Sequence, residues 1–237
     1  MGVRDEGLHG SVLDELGTLI VSRGYAPGQV LRIEQFEERF GVSRTVVREA
    51  IKVLESMGMV SSRRRVGVTV SPRAAWNLFD PQVIRWRLDS GERESLLRSL
   101  GELRRGVEPV AAALAATHAT PEQCGELTGA VMQMAVHGKS GDLEAYLAAD
   151  IQFHRTLLAA SGNEMFGALT TVVAEVLTGR THHHLMPAFP EPMAIRWHAE
   201  VAQAVQSGDP AEAERAMRDI VDEATHAMLA EGPATGR

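Results

Sequence analysis

Between Leu8 and Val21 the apolar residues fall at Leu8, Val12, Leu13, Leu16, Leu19 and Ile20, the spacing of one helical face, which predicts a first helix. Gly24 and the Pro27-Gly28 pair interrupt the pattern, and a short helix over Glu34 to Phe40 turns Ile33, Phe36 and Phe40 inward before Gly41 stops it. Ser43 is placed to cap a third helix running to about Met57, with Val46, Val47, Ala50, Ile51 and Leu54 on its buried face. Gly58 ends that helix. Two alternating segments, Met59 to Ser62 and Gly67 to Val70, then read as strands flanking the run Arg63-Arg64-Arg65, and Pro72 closes the unit.

The pattern changes after residue 73. A connector over 74–90 carries a short helix after Pro81, with Trp76, Phe79 and Trp86 as packing anchors. Beyond it the period is helical throughout. It predicts helices near 92–117, 121–136, 142–160, 164–184, 193–207 and 210–229, separated by Pro121, Gly138, Gly141, Gly162, the Pro187 to Pro192 stretch and Gly208. Met132, Met134, Met165 and Met217 read as core filler, and the Gly/Pro/Thr stretch after Glu231 reads as a disordered tail. The fold class is therefore mainly α: three helices and a small β-hairpin in 1–73, the connector in 74–90, and an all-α helical bundle in 91–232.

Composition narrows the function classes. The apolar stretches are short, and Arg4, Asp5 and Glu6 sit where a signal peptide needs an apolar core, so neither export nor membrane insertion is expected. The single cysteine, Cys124, cannot form an internal disulfide or a CxxC pair, which suits a reducing cytoplasm. The net charge of -7 hides an asymmetry: residues 1–73 carry +2 and the remainder -9. Within residues 39–73 there are 8 basic side chains against 2 acidic ones, a concentrated positive block suited to phosphate. A solvated basic face with no partner would give the same counts.

A short helix, a glycine turn and a second helix is the helix-turn-helix plan, whose second helix enters the major groove N-terminus first. Here the leading residues of that helix are Ser43, Arg44, Thr45 and Arg48, opposite the packing face of Val47 and Leu54. The arginine fork matches the two acceptors of guanine, while Ser and Thr suit phosphate or mixed contacts. Arg63, Arg64 and Arg65, at the hairpin tip before Gly67, would lie along the backbone or an adjacent minor groove. A three-helix protein-interaction module with a basic turn remains the alternative.

The stretch from Pro27-Gly28 through GVSRTVVREAIKVLESMGMV to Gly67 resembles the winged helix-turn-helix of the GntR family of bacterial regulators. GELRRGVEPVAAALAA and DIQFHRTLLAASGN are similar to the FCD-type effector domain of its FadR-like subfamily, and the connector RAAWNLFDPQVIRWRL resembles the branch containing the galactonate-operon repressor. This resemblance implies a homodimeric, cytoplasmic repressor that holds two reading heads over a palindromic operator in double-stranded DNA. It also implies release by a small carboxylate, and the connector favours a sugar acid such as an aldonate.

Asp150 and His154 lie four apart on one predicted helix and project from the same face, and His198 lies on a later helix. Carboxylate and imidazole are ligands of Zn, Ni and similar divalent ions, although such an i,i+4 pair also occurs as a plain surface ion pair. The resemblance makes these three positions metal ligands and places a fourth, a histidine, 22 residues after His198, where this chain has Ile220. Asp219 and His226 are out of register with that position. The resemblance also puts Arg104 and Glu108 in the effector pocket, where a guanidinium would clamp a carboxylate; the simpler reading is an ion pair within one helix. Consecutive helical residues diverge by about 100°, so His182, His183 and His184 cannot all meet one ion. A metal-dependent hydrolase built on Asp150, His154 and His198 lacks an identifiable general base and an HExxH motif, and leaves the basic helix-turn-helix unexplained. The expected protein is a regulator and not an enzyme.

Overall fold

The computed structural model of the chain describes residues 3–187 and 189–230. The stretch after Glu231, expected to be a disordered tail, lies outside the described residues. The chain divides into two compact units, residues 1–93 and 94–237.

In the first unit, α1 (Val3–Val21), α2 (Ile33–Phe40) and α3 (Arg44–Ser56) bury Leu16, Phe36, Val47 and Leu54 against one another, as the apolar spacing requires. Gly41 ends α2 in the left-handed conformation at φ 63, and the Ser43 side chain accepts a hydrogen bond from the Val46 amide at the start of α3. The hairpin forms from β2 (Val60–Arg63) and β3 (Gly67–Val70), with Val60 opposite Val70 and Arg63 opposite Gly67. A third strand escaped the sequence pattern: β1 (Val30–Leu31) joins the far edge of β3, giving the antiparallel order β1-β3-β2. Two residues are too few to display alternation. Gly58, at φ 73, lets the chain leave α3 with its Cα against the Ala75 carbonyl; a Cβ there would lie 2.1 Å from that oxygen.

The connector belongs to this same unit. Its helix α4 (Pro81–Leu88), capped by Asp80, lays Trp86 over Gly17 of α1, and the indole nitrogen donates to Asp14 Oδ1 at 3.0 Å. Trp86 is thus buried and Trp76 half-buried, but Phe79 is exposed and anchors nothing, because it precedes α4 in an open turn.

The second unit consists of helices. They are α5 (Arg93–His118), α6 (Pro121–Ser140), α7 (Leu143–Ala160), α8 (Glu164–Gly167), α9 (Thr170–His182), α10 (Pro192–Ser207) and α11 (Pro210–Ala230). Two expectations need correction. The helix expected over 164–184 is broken in two, because the Leu169 amide bonds back to the Phe166 carbonyl, closing α8 before α9 starts. Helix α6 runs through Gly138, expected to be a stop; that glycine instead admits Ile195, whose Cδ1 would lie 3.1 Å from a Cβ. Among the methionines read as core, Met134 and Met217 are buried while Met132 and Met165 are exposed. The core of the unit gathers Leu127, Phe153, Leu157, Val201, Met217 and Ile220 between α6, α7, α10 and α11. Among the described residues no helix is long and apolar enough to cross a membrane.

Candidate functional site

The structure presents two candidate sites, one in each unit. In the first, Arg44, Thr45 and Arg48 are exposed on α3, and Ser43 is exposed with its hydroxyl engaged in the helix cap. Arg44 is not a free cation. Its Nη1 donates to Glu34 Oε1 of α2 at 2.9 Å and lies 3.7 Å from Glu37 Oε1, with the arginine side chain 54% exposed. The Glu34 carboxyl is held below its usual range, by its own backbone amide first and then by Arg44. Arg48 and Lys52 of α3 share a groove with Arg63 and Arg64 of the hairpin. Glu55 fixes the hairpin to the helix by accepting the Ser62 amide at 2.7 Å. Arg65 takes a left-handed conformation at φ 70, where the chain turns back toward Gly67. Sequence reasoning missed Lys52 and the Glu34 and Glu37 partners, since contacts between helices leave no trace in spacing.

In the second unit α5, α7 and α10 bring five polar side chains into the interior. Asp150, His154 and His198 are buried, and one ligand atom from each lies within 4.8 Å of the other two. Asp150 Oδ1 is 3.3 Å from Nε2 of both His154 and His198. These contacts are not hydrogen bonds, for Asp150 Oδ1 and His198 Nε2 both lack a hydrogen-bond partner. Of the outer nitrogens, that of His198 is hydrogen-bonded. His198 Nδ1 meets the Ala194 carbonyl at 2.6 Å, and because a carbonyl only accepts, Nδ1 carries the proton and Nε2 offers a lone pair. His154 Nδ1 lies 2.6 Å from Glu108 Oε2, an ion-pair distance without hydrogen-bond geometry.

Glu108 also takes Arg104: Nε donates to Oε1 at 2.5 Å and Nη2 to Oε2 at 3.4 Å, with the two side chains 2% and 0% exposed. The helical ion pair expected as the simpler reading is therefore present, but buried rather than solvated, and it leaves Arg104 Nη1 buried without a partner. Burial pushes the Glu108 carboxyl up, yet Arg104 and His154 outweigh it and hold the group at about 2. Asp150 is likewise pushed up by burial and brought well below its ordinary value by the two imidazoles. Burial lowers His154, and Glu108 and Asp150 more than reverse this, raising it to about 9.

Two buried imidazoles and a carboxylate whose ligand atoms converge, with Asp150 Oδ1 and His198 Nε2 unpartnered and His198 Nδ1 held by a carbonyl, fit a divalent ion of the zinc or nickel type. Ile220 is buried in the apolar core, so it adds no donor. Asp219 pairs with Arg215 at 2.6 Å and His226 is exposed. His182 reaches Glu144 at 3.2 Å on the surface, while His183 and His184 follow the end of α9, so the three do not converge. Sequence reasoning missed the Ala194 carbonyl, Tyr146 one turn before Asp150, and the Arg180–Glu223 pair that acts on Tyr146. Only Tyr146, one helical turn before Asp150, left a readable signal.

Residues 8–70 match the family described as bacterial regulatory proteins, gntR family, and residues 99–223, more than half of the chain, match the FCD domain. The chain belongs to the GntR family. Within it, this GntR member is 27% identical over 215 residues to the galactonate operon transcriptional repressor of Escherichia coli, covering 90% of this chain and 93% of that one. It is 32% identical over 164 residues, 69% of this chain and 71% of the other, to the HTH-type transcriptional regulator YieP of Escherichia coli. Among solved structures, Lar, which controls expression of the Listeria monocytogenes agr system, matches with a TM-score of 0.59 at 18% identity over 98% of this chain and 99% of that one, a likeness of fold. The GntR chain is thus a DNA-binding transcriptional regulator with an FCD domain, and the hydrolase reading falls with that assignment.

Proposed function

We propose that this regulator is a homodimeric repressor that binds a palindromic operator and is released by a small hydroxylated carboxylate, an aldonate, bound in the second unit. In this reading Ser43, Arg44, Thr45 and Arg48 meet base edges and nearby phosphates, while Arg63, Arg64 and Arg65 follow the backbone beyond Gly67. The observation that carries the effector half is the buried, unpartnered Arg104 Nη1 in the same cluster as the unpartnered Asp150 Oδ1 and His198 Nε2. A buried donor without a partner is costly, and an incoming carboxylate supplies the missing acceptor. Asp150, His154 and His198 would hold the divalent ion, which when bound offers a Lewis-acid centre to an effector oxygen. Glu108 orients Arg104 from one side and His154 from the other, so binding at either group is felt by both. The relationship to the galactonate operon repressor supports an aldonate as the ligand class.

Release requires only that the effector favour one arrangement of the two reading heads: a tenfold loss of operator affinity corresponds to about 1.4 kcal/mol of coupling. Operator fragments selected from random DNA, followed by titration of aldonates, test this reading. An aldonate should dissociate the complex of the unaltered protein and fail to dissociate that of His154→Ala, which should still bind the operator. An unchanged response in that variant would remove the buried cluster from the mechanism.

A further inference from the structure

A second largely buried guanidinium, on the helix that packs against α7, has no role supplied by the sequence pattern or the family match. Arg180, in the last turn of α9, is largely buried, and its Nε lacks a hydrogen-bond partner. Its Nη2 stands 3.7 Å from Glu223 Oε2 of α11, a loose pair whose glutamate side chain is 26% exposed. Helix α7, packed against α9, carries Tyr146, Asp150 and His154 at successive i,i+4 positions, so the three share one face, with the Cα atoms of Tyr146 and Asp150 about 6 Å apart along the axis. Burial, and after it the Asp150 carboxylate, raises the Tyr146 hydroxyl above its ordinary pKa; Arg180 acts against this and Glu223 with it, and the phenol stays a neutral donor.

From this arrangement we propose that Tyr146, Arg180 and Glu223 form a tail subsite that reads the hydroxyl groups of a singly charged polyhydroxy acid and rejects the corresponding diacid. The inference rests on the effector reading above and deepens it. The subsite offers a phenol, a guanidinium nitrogen in need of an acceptor and a half-buried carboxylate loosely paired to that guanidinium. A hydroxyl both donates and accepts, so it satisfies such a mixed set. A second carboxylate would satisfy Arg180 but face Glu223. The charge balance agrees. Arg104 and Arg180 stand against Glu108, Asp150 and Glu223, with the histidines neutral when they hold an ion. The group is therefore one negative charge in excess, a divalent ion makes it one positive in excess, and a single carboxylate closes it to zero. A diacid would leave an uncompensated negative charge in a partly buried site.

The experiment is calorimetric titration of the zinc-loaded full-length protein with three acids: a hexonate, the hexarate of the same configuration, and lactate, which carries the carboxylate and adjacent hydroxyl but no tail. The hexonate should bind at least about tenfold tighter than the hexarate. Glu223→Gln removes the charge that opposes the second carboxylate and should bring the hexarate to within about threefold of the hexonate, with zinc affinity, measured separately, unchanged. Arg180→Met should weaken the hexonate by about tenfold and leave lactate unaffected. Equal binding of hexonate and hexarate by the unaltered protein overturns the tail subsite, as does a Glu223→Gln variant with an unaltered ratio. If none of the three acids binds, lactate included, the effector reading itself falls and the subsite falls with it.

Discussion

The arginines of the recognition helix and hairpin keep their charge in water, whereas Arg104 keeps its charge between helices. Arg44 is paired to Glu34 and Glu37 but remains 54% exposed; Arg104 is paired to Glu108 with 2% of its side chain exposed. The shortest contact of each is an ion pair, 2.9 Å for Arg44 and 2.5 Å for Arg104, yet the surroundings differ. Two unit charges 4 Å apart attract by about 1 kcal/mol in bulk water and by about 4 kcal/mol near a protein surface. At the exposed site, water competes for the guanidinium at little cost, so in the proposed reading Arg44 would exchange Glu34 for a base or phosphate. At the buried site exchange is expensive, and Arg104 is held in one orientation whether or not a ligand is present. One unit holds its arginines where partners exchange easily; the other fixes Arg104 in the interior with one nitrogen left unpartnered.

The largest consequence of that difference is expected from Glu108→Gln. It removes the charge that faces Arg104 and His154 while nearly preserving shape, and breaking a buried pair costs about 3 to 5 kcal/mol because the remaining charge is uncompensated. Denaturant unfolding of the second unit should register the loss, and a decrease below about 1 kcal/mol would mean that solvent reaches Arg104 after all. Next in size comes the response to metal. Zinc at 100 times its dissociation constant should stabilise the folded protein by about 2.7 kcal/mol, and a chelator should reverse the gain. Asp150→Asn should lose most of this response. A midpoint indifferent to zinc in the unaltered protein would show that the three converging donors serve packing alone.

How far the sequence reveals these two regions follows the same division. The reading head is legible because its elements are local: the helical period of α1 to α3, the Ser43 cap, the Gly41 stop and the alternating strands all lie within a few residues of one another. What escapes there is non-local or too short, namely the two-residue β1 and the pairing of Arg44 with Glu34 ten positions earlier. In the second unit Asp150 and His154 are legible as an i,i+4 pair, whereas His198 joins them only through the packing of α10, which spacing cannot reveal. The Ala194 carbonyl is a backbone atom and carries no sequence signal at all. The break between α8 and α9 is invisible for another reason: the Gly167-Ala168-Leu169 turn keeps a near-helical period through a single tightened hydrogen bond.

Smaller effects should separate the two kinds of exposed arginine. Arg44→Ala should weaken operator binding by about 1 to 3 kcal/mol and relax preference at one base position, with random DNA much less affected. Arg64→Ala should instead weaken operator and random DNA alike, and lower the slope of log affinity against log salt by about 1. Equal losses on both DNAs for Arg44→Ala would move that residue from base reading to backbone contact and leave the hairpin and recognition helix chemically indistinguishable.

The smallest effect belongs to the residue beside Arg104. Arg105 is its neighbour on α5 and also reaches a carboxylate, with Nε 3.0 Å from Asp222 Oδ1, but the two side chains are 60% and 30% exposed. The two arginines adjoin on α5 and each meets a carboxylate, Arg104 within the helix and Arg105 across to α11, and they differ most in depth of burial. Exposed pairs contribute about 0.2 to 1 kcal/mol, so Asp222→Asn should lower unfolding stability by no more than that, and added salt should erase the difference. Glu108→Gln should cost several times as much and be little affected by salt. If the two substitutions cost the same, burial does not set the strength of these pairs, and the rigidity ascribed to Arg104 must come from the helix packing around it instead.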